Sequence, residues 1–281
     1  MDIKTARQYG MCAGVKRALD IVDKALRDCG NSTLYIYNEI VHNNFVINDL
    51  KQKNIVFVHD IADIPDGAVT VFSAHGVPLG VEEAAKKKNL RVFDATCLLV
   101  KKNHCAVEEA FRQNKAVVFI GKKSHPECVG TVGRVPEGYC FVVENKEDIA
   151  KIPHVSNSMI SVAQTTLAMS DVAGIKAALD DKFQNIKHLG GICFATEERQ
   201  RAVADLAKEC DVILVAGSSA SSNSCRLVQI AKENGCDSYL VDSVEDAKKI
   251  DLSLYHRVGI TAGASTPQSQ IDELIMFISL K

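Results

Sequence analysis

The feature that most constrains the fold is a regular alternation of short apolar runs with amphipathic helical patterns. Strand-like runs rich in Val and Ile are predicted at 34–37, 55–58, 69–72, 116–120, 139–143, 159–162, 212–215, 238–241 and 257–261. Helical patterns lie between many of them, at 15–26, 81–88, 106–113, 172–181, 199–208, 223–233 and 268–277. This alternation is typical of parallel sheets with helical crossovers. Because the strand-like runs are short and rich in Val and Ile, we expect strands that are covered on both faces.

The recurrence of strands and helices also predicts how the chain is divided. A length of 281 residues would by itself suggest about two domains. The pattern instead predicts three small α/β units, at 14–96, 97–193 and 194–281 plus 1–13. We expect residues 1–13 to add an edge strand to the third unit.

Composition excludes several classes of protein. Hydrophobic residues make up 47% of the chain and charged residues 24%, which is ordinary for a globular protein. A net charge of −2 without a dense Lys/Arg run argues against nucleic-acid binding as the main task. No apolar run reaches the roughly 20 residues that span a bilayer, and the first residues show no signal region. We therefore expect a cytoplasmic protein that binds neither membrane nor nucleic acid.

Ten cysteines are many for such a chain, and three of them stand out. Cys12, Cys97 and Cys193 each sit beside Gly, Ala or Thr where an extended segment becomes a helix, and they are spaced 85 and 96 residues apart. The chain has no C-x-x-C pair, so a metal site must combine distant segments. Three interpretations stay open: packed thiols, an iron–sulfur cluster with one open iron, and zinc with three thiolates and water. Four more cysteines are predicted to be buried or half-buried apolar residues: Cys29, Cys105, Cys210 and Cys236.

Polar and small residues follow most of the predicted strands, and ligands of parallel sheets bind at the carboxyl ends of strands. Ser221-Ser222-Asn223-Ser224 supplies more donors than one helix cap needs, so it predicts a phosphate site at a helix N-terminus. Neutral histidines and a serine would complete that site: His42, His75 and Ser265. Glu127 follows a turn proline and would lie near Thr165 and Thr166 if the strand ends converge. Glu127 would then be either an ordinary solvated surface residue or a proton donor.

Taken together, these motifs resemble the IspH/LytB family of 4-hydroxy-3-methylbut-2-enyl diphosphate reductases of the non-mevalonate isoprenoid pathway. They span nearly the whole chain: Cys12-Ala13-Gly14-Val15, Glu39-Ile40-Val41-His42-Asn43, Phe72-Ser73-Ala74-His75-Gly76-Val77, Phe93-Asp94-Ala95-Thr96-Cys97, His125-Pro126-Glu127, Gln164-Thr165-Thr166-Leu167, Ser221-Ser222-Asn223-Ser224 and Thr261-Ala262-Gly263-Ala264-Ser265.

The resemblance implies three α/β domains in a pseudo-threefold arrangement around a [4Fe–4S] cluster with one open iron. Cys12, Cys97 and Cys193 would hold that cluster. Glu127, Thr165 and His125 would be catalytic, with Glu127 delivering protons as the allylic hydroxyl leaves as water. The resemblance also implies two electrons from a ferredoxin or flavodoxin, and we expect a monomer or weak dimer. Substrate binding would fall to His42, His75, His125, Thr165, Thr166, Ser221, Ser222, Asn223 and Ser265.

The sequence departs from the pattern of the family in four places. Leu98 stands where proline is usual, Glu197 and Glu198 where Thr-Asn is common, Ser219-Ala220 where Lys-Asn is usual, and Cys225 where Asn is frequent. Acids near a cluster would lower its reduction potential. The departures would suit a paralogue with altered substrate preference. Two rival functions are a lyase similar to quinolinate synthase, using its cluster as a Lewis acid, and a non-catalytic zinc or iron–sulfur sensor.

Overall fold

The computed structural model describes residues 2–153 and 158–280, and these form alternating strands and helices. The strands are β1 (Asp2–Thr5), β2 (Leu34–Tyr37), β3 (Ile55–Val58), β4 (Val69–Phe72), β5 (Arg91–Asp94), β6 (Ala116–Ile120), β7 (Cys140–Val143), β8 (Met159–Ala163), β9 (Ile186–His188), β10 (Val212–Ala216), β11 (Asp237–Val241) and β12 (Arg257–Ala262). The α-helices are α1 (Ala13–Cys29), α2 (Asn44–Lys51), α3 (Leu79–Lys87), α4 (Leu98–Arg112), α5 (Pro126–Val132), α6 (Met169–Lys182), α7 (Phe194–Ala207), α8 (Ser222–Glu233), α9 (Val244–Lys248) and α10 (Gln268–Ser279). Short 3₁₀ helices cover Ile61–Asp63, Lys146–Lys151 and Leu252–Leu254.

The strands form three parallel four-stranded sheets with the same internal order. The orders are β3-β2-β4-β5, β7-β6-β8-β9 and β11-β10-β12-β1. The central strands are β2 and β4 in the first sheet, β6 and β8 in the second, and β10 and β12 in the third; the remaining strands are edges. The third sheet takes its last strand from the N-terminus, where Asp2–Thr5 pairs with β12 as expected. The predicted α/β class and its three parallel-sheet units are confirmed.

By backbone proximity the chain divides into two compact units. Unit 1 consists of Met1–Lys16, Val41–Lys53 and Phe194–Lys281, and contains the sheet β11-β10-β12-β1. Unit 2 consists of Arg17–Ile40 and Asn54–Cys193, and contains the other two sheets. We retain the three segments 14–96, 97–193 and 194–281 plus 1–13 as a proposal, in which each segment carries one sheet.

In the central strands β4, β6, β8 and β10 both faces are buried, which explains their apolar composition. In unit 1, Ile213 and Val215 pack with apolar residues of α7 and α8, while Val212 and Leu214 face the opposite core with residues of α10. In unit 2, residues of β6 alternate in the same way between two clusters. Sheets buried on both faces leave the strand ends as the place where polar groups can meet a ligand.

The sequence patterns missed several short elements. The strands β5 and β9 are partly exposed edge strands, so their sequences carry polar residues such as Arg91 and Lys187 that hide the apolar run. The helices α2, α5 and α9 have eight residues or fewer, too short for a clear helical period. Among the described residues, no helix combines the length and apolarity needed to cross a membrane.

Candidate functional site

The predicted site residues lie mainly in the loops that follow the two central strands of each sheet. In the sheet β3-β2-β4-β5 these loops carry His42 and His75, in β7-β6-β8-β9 they carry His125 and Thr165, and in β11-β10-β12-β1 they carry Ser221 and Ser265. Helices begin directly after these loops, so backbone N–H groups of their first turns point toward the loops. The same place in each sheet is therefore equipped for anionic groups.

The three singled-out cysteines occupy equivalent positions. Each follows an edge strand, immediately precedes the helix α1, α4 or α7, is half-buried and forms no disulfide. The backbone N–H of each donates to a carbonyl in the loop after the neighbouring central strand. These bonds join Cys12 to Ala264, Cys97 to Ala74 and Cys193 to Thr165, each with an N···O distance of 3.0 Å.

These positions fit thiolate ligands. A helix N-terminus favours negative charge, and at the first junction the N–H of Val15 already donates to Cys12 Sγ at 3.4 Å. Within residues 2–153 and 158–280, no three His, Cys, Asp or Glu side chains lie close enough to hold a single metal ion. A cluster differs from an ion, because its cysteines bind different irons and so stand farther apart. Three soft thiol donors suit iron–sulfur chemistry.

Of the four cysteines predicted to be packed, three are buried: Cys29, Cys210 and Cys236. Cys105 is exposed, contrary to the prediction. It lies on α4, whose apolar face carries Val100 and Val107 instead. Cys128, the neighbour of Glu127, is buried, and this burial raises the pKa of its thiol to about 12.

Glu127 is a buried carboxyl group rather than a solvated one. It lies in the first turn of α5 with only 2% of its surface exposed. The backbone N–H of Thr165 donates to its Oε1 at 3.0 Å, and the Thr165 hydroxyl donates to its Oε2 at 2.8 Å. Burial raises the pKa of Glu127 to about 7, against the opposing effect of these two bonds. A carboxyl group of this kind can hold a proton at neutral pH and release it.

His125 and His75 lie together in unit 2. Their ring centroids are 5.8 Å apart, with the planes nearly perpendicular. His125 is the N-cap of α5, and its Nδ1 accepts from the N–H of Glu127 at 3.2 Å. Since Nδ1 is an acceptor, a neutral His125 carries its proton on Nε2 and can donate from that atom. Ser73 Oγ lies 3.4 Å from His75 Nδ1.

The turn after His75 depends on Gly76. This residue has φ +77°, and a Cβ there would lie 2.6 Å from Cε1 of His104. His104 is buried on α4, and its burial lowers its pKa to about 4, so it is neutral. A histidine that supports this loop was not predicted, because its sequence neighbours show only an amphipathic helix.

The loop before α8 is rich in donors. Ser221 is its N-cap and accepts from the N–H of Ser224 at 3.2 Å. The amide of Asn223 is buried, and neither of its side-chain polar atoms has a hydrogen-bond partner in the described part of the chain. Ser222, which lies between Ser221 and Asn223 in the sequence, is half-buried. Buried polar atoms left without a partner in this way indicate a place where a polar ligand completes the structure.

In unit 1, His42 and Ser265 lie together. The Ser265 hydroxyl donates to the backbone carbonyl of His42 at 2.9 Å. The next residue, Asn43, caps α2 by accepting from Val46 N–H at 3.0 Å, and its amide donates to Gln270 at 3.2 Å. The bond from Ser265 joins the segment before α2 to the loop after β12, and Asn43 joins α2 to α10, a role that the sequence did not reveal.

Thr166 is held separately from Thr165. Its hydroxyl accepts from Gln164 Nε2 at 2.9 Å, while Gln164 Oε1 accepts from the N–H of Lys122 at 3.1 Å. Gln164 is fully buried and joins the loops after β6 and β8. Gln164 belongs to the motif Gln164-Thr165-Thr166-Leu167, but the sequence indicated no role for it.

The positions that depart from the family pattern lie on accessible or half-buried surfaces. The side chain of Leu98 is 64% exposed. Glu197 forms an ion pair with Arg201 one turn along α7. Cys225 donates its thiol to the carbonyl of Ser219 at 3.3 Å. None of these contacts involves a predicted ligand or substrate residue.

Comparison with known proteins identifies relatives over nearly the whole chain. The family described as "LytB protein" matches residues 3–279. A 4-hydroxy-3-methylbut-2-enyl diphosphate reductase of Haemophilus influenzae (strain PittEE) is 43% identical, with 98% of this chain and 89% of the relative covered. One from Azotobacter vinelandii is also 43% identical, with the same coverage.

Solved structures agree with these matches. The structure of E-1-hydroxy-2-methyl-but-2-enyl-4-diphosphate reductase from Plasmodium falciparum has a TM-score of 0.93 and 35% identity, covering 99% of this chain and 87% of that one. A structure titled as (E)-4-hydroxy-3-methyl-but-2-enyl diphosphate reductase, the terminal enzyme of the non-mevalonate pathway, has a TM-score of 0.73 and 34% identity, with both chains fully covered. The family predicted from the motifs is confirmed. The chain belongs to the LytB family of reductases.

Proposed function

We propose that this protein reduces 4-hydroxy-3-methylbut-2-enyl diphosphate to isopentenyl and dimethylallyl diphosphate. The reaction takes up two electrons and two protons, breaks the allylic C–O bond and releases one water. Family membership and relatives named for this reductase support the assignment. The observation that carries it is the buried pair Glu127–Thr165, because the carbonyl of Thr165 also accepts from the backbone N–H of Cys193.

Within this proposal, Cys12, Cys97 and Cys193 hold a [4Fe–4S] cluster with one iron open to substrate. The support is that all three thiols occur at the same junction of edge strand and helix. Such a cluster supplies electrons and a Lewis-acid iron for the leaving hydroxyl. The remaining contributions come from side chains of the protein.

Glu127 is the proposed proton donor. Its pKa of about 7 leaves an appreciable protonated fraction at neutral pH, and Thr165 fixes both carboxyl oxygens. The Thr165 hydroxyl can relay the proton, since it both donates and accepts hydrogen bonds. His125 is tied to the same element, because its Nδ1 accepts from the Glu127 N–H. Protonation turns the hydroxyl into water, a far better leaving group.

The diphosphate is proposed to bind the donors at the strand ends. In unit 1 these are Ser221, Ser222, Asn223, Ser265 and His42, and in unit 2 they are His75, His125, Thr165 and Thr166. The strongest support is the amide of Asn223 at the start of α8, which has no hydrogen-bond partner among the described residues and which a phosphate oxygen would satisfy. The hydroxyl and amide donors of this set can bind the anion without requiring a buried cation.

We further propose a ferredoxin or flavodoxin as the electron donor and a monomer or weak dimer as the working form. Neither membrane nor nucleic acid is needed for the proposed reaction. The presence of ten cysteines that form no disulfide within the described residues supports a reducing compartment such as the cytoplasm.

The decisive experiment is an anaerobic assay of reduced-viologen oxidation with the hydroxymethylbutenyl diphosphate, on protein with reconstituted cluster. Rapid substrate-dependent oxidation is expected. An intact cluster whose spectrum responds to substrate without turnover would favour a paralogue, with Leu98 and Glu198 the first positions to revert. A cluster that promotes a non-reductive reaction would favour a lyase of the quinolinate-synthase kind. Protein that takes up no iron would contradict the proposal.

A further inference from the structure

Two arginines share an unusual placement. Each lies on a helix that begins just after one of the singled-out cysteines, and its guanidinium donates to a backbone carbonyl just before another of them. Arg199 lies on α7, six residues after Cys193, and is 1% exposed. Its Nε and Nη2 both donate to the carbonyl of Gly10, at 3.1 and 2.5 Å, two residues before Cys12. Its Nη1 donates to the carbonyl of Ala195 at 2.6 Å. One buried guanidinium thus joins the approach to Cys12 with the first turn of α7.

Arg17 makes the corresponding contact in unit 2. It lies on α1, five residues after Cys12, and its Nη1 donates to the carbonyl of Thr96 at 3.0 Å. Thr96 immediately precedes Cys97, and its N–H is fixed by Asp94 at 2.9 Å. Thr96 is therefore held by hydrogen bonds at both its backbone N–H and its carbonyl.

We propose that Arg199 and Arg17 are positioning residues that fix the backbone leading into Cys12 and Cys97, so that these thiols stand ready to bind the cluster. The inference depends on the proposed role of the cysteines as ligands. Neither arginine is proposed to touch the substrate or the cluster.

Geometry explains why arginine serves at the first of these positions. Gly10 adopts φ +74°, a left-handed turn that directs its carbonyl at Arg199. The backbone N–H groups of Gly10 and Cys12 donate to the carbonyls of Ala262 and Ala264. A planar guanidinium can bond Gly10 with two N–H groups while a third bonds Ala195, whereas an ammonium lacks this fixed fork.

Amide hydrogen exchange on the full-length, cluster-loaded protein tests the proposal, with R199Q, R17Q and R201Q compared. R199Q is expected to accelerate exchange in residues 8–14 about tenfold or more, as for loss of charge-assisted hydrogen bonds, and to leave residues 94–100 unchanged. R17Q is expected to accelerate exchange in residues 94–100 and to leave residues 8–14 unchanged. R201Q is the matched control, because Arg201 lies on the same helix but is exposed and, among the described residues, forms an ion pair only with Glu197. Both test variants should also lose iron to a chelator faster than R201Q does.

Two further readouts separate positioning from general destabilisation. Exchange in the buried strand β10 should stay at the wild-type rate, and R199K should restore part of the protection at residues 8–14, because it keeps a donor. If R199Q does not accumulate as folded protein, R199K is compared with R201K in the same way. Equal acceleration in both cysteine segments, or none in either, would overturn the proposal. Failure of the proposed function is a separate result, because it is read from the wild-type protein alone, as absent iron uptake or as an intact cluster without turnover.

Discussion

The carboxyl group of Glu127 accepts hydrogen bonds from both the backbone N–H and the hydroxyl of Thr165, at 3.0 and 2.8 Å. The carbonyl of the same threonine accepts from Cys193 N–H at 3.0 Å. One residue therefore links the buried acid to a predicted cluster ligand. A shift at Thr165 would move both groups together, which makes this link the most informative place to test the site.

Replacing Glu127 by Gln should leave cluster content unchanged and lower turnover by about 10²–10⁴-fold, the usual contribution of a general acid. Gln keeps the volume and an acceptor for Thr165 but cannot deliver a proton. The measurement is viologen-coupled turnover beside iron content. Turnover near the wild-type rate would remove Glu127 from the proton pathway.

The pH dependence follows from the raised pKa of Glu127, about 7 against an ordinary 4.5. The protonated acid is the active form, so turnover should fall as pH rises through about 7. Folding stability depends on pH in the same direction. Between pH 4.5 and about 7 the folded protein keeps Glu127 protonated, whereas the unfolded chain has released that proton. The stability that this group contributes is therefore full below pH 4.5 and is lost as pH rises through about 7. E127Q should lack this part of the pH dependence in urea unfolding.

Thr165→Val should remove the bond to Glu127 Oε2 and keep the backbone bond to Oε1. Because the lost bond stabilised the charged carboxylate, the pKa of Glu127 should rise further and the alkaline limb of the pH–rate profile should move upward. Thr165→Ser retains a hydroxyl and should restore the wild-type profile. A Val variant with an unshifted limb would separate this hydroxyl from proton delivery.

The cysteines differ in their expected sensitivity. Cys12→Ser, Cys97→Ser and Cys193→Ser should each lose most of the bound iron after anaerobic reconstitution. Cys105→Ser and Cys210→Ser should keep it, one being exposed on α4 and the other packed in the core of unit 1. Iron analysis and the visible spectrum decide this. Full iron content in any of the first three variants would contradict that ligand assignment.

Gly263→Ala should impair substrate binding through packing. A Cβ at Gly263 would lie 2.0 Å from Oγ of Ser224, which is buried directly after Asn223. Forcing Ser224 away should cost about 1–3 kcal/mol of stability and at least about tenfold in kcat/KM. Gly80→Ala on α3 is the control, because a Cβ there would lie within 4 Å of no described atom beyond its chain neighbours and the backbone of its own helix. Equal behaviour of the two variants would rule out this packing role.

Leu98→Pro should be tolerated although it introduces proline into a helix. Leu98 is the first residue of α4, where the N–H has no partner within the helix, and Cys97 already has the extended backbone that precedes proline (φ −56°, ψ 139°). The substitution should raise the free energy of unfolding by about 0.4–1 kcal/mol, since the unfolded chain loses freedom. Urea unfolding against Leu98→Ala measures this gain. A loss of stability would show that Leu98 is needed for more than starting the helix.

The family and the main elements could be predicted from the sequence because they depend on local information. Continuous Val and Ile runs specify strands buried on both faces, and motifs such as His125-Pro126-Glu127 retain their order and spacing. The same local signals placed His42, His75 and Ser265 at strand ends. They also gave the three cysteines a common setting beside small residues.

Tertiary structure decided what those groups can do. No sequence pattern indicates that Glu127 is buried with a pKa near 7, because burial depends on elements distant along the chain. The same holds for Arg199, which looks in the sequence like one more charge on an amphipathic helix, yet is fully enclosed and bonded to Gly10. Sequence determines which side chains are present and where strands end. Desolvation and long-range hydrogen bonds, which set charge and position, exist only once distant segments have packed together.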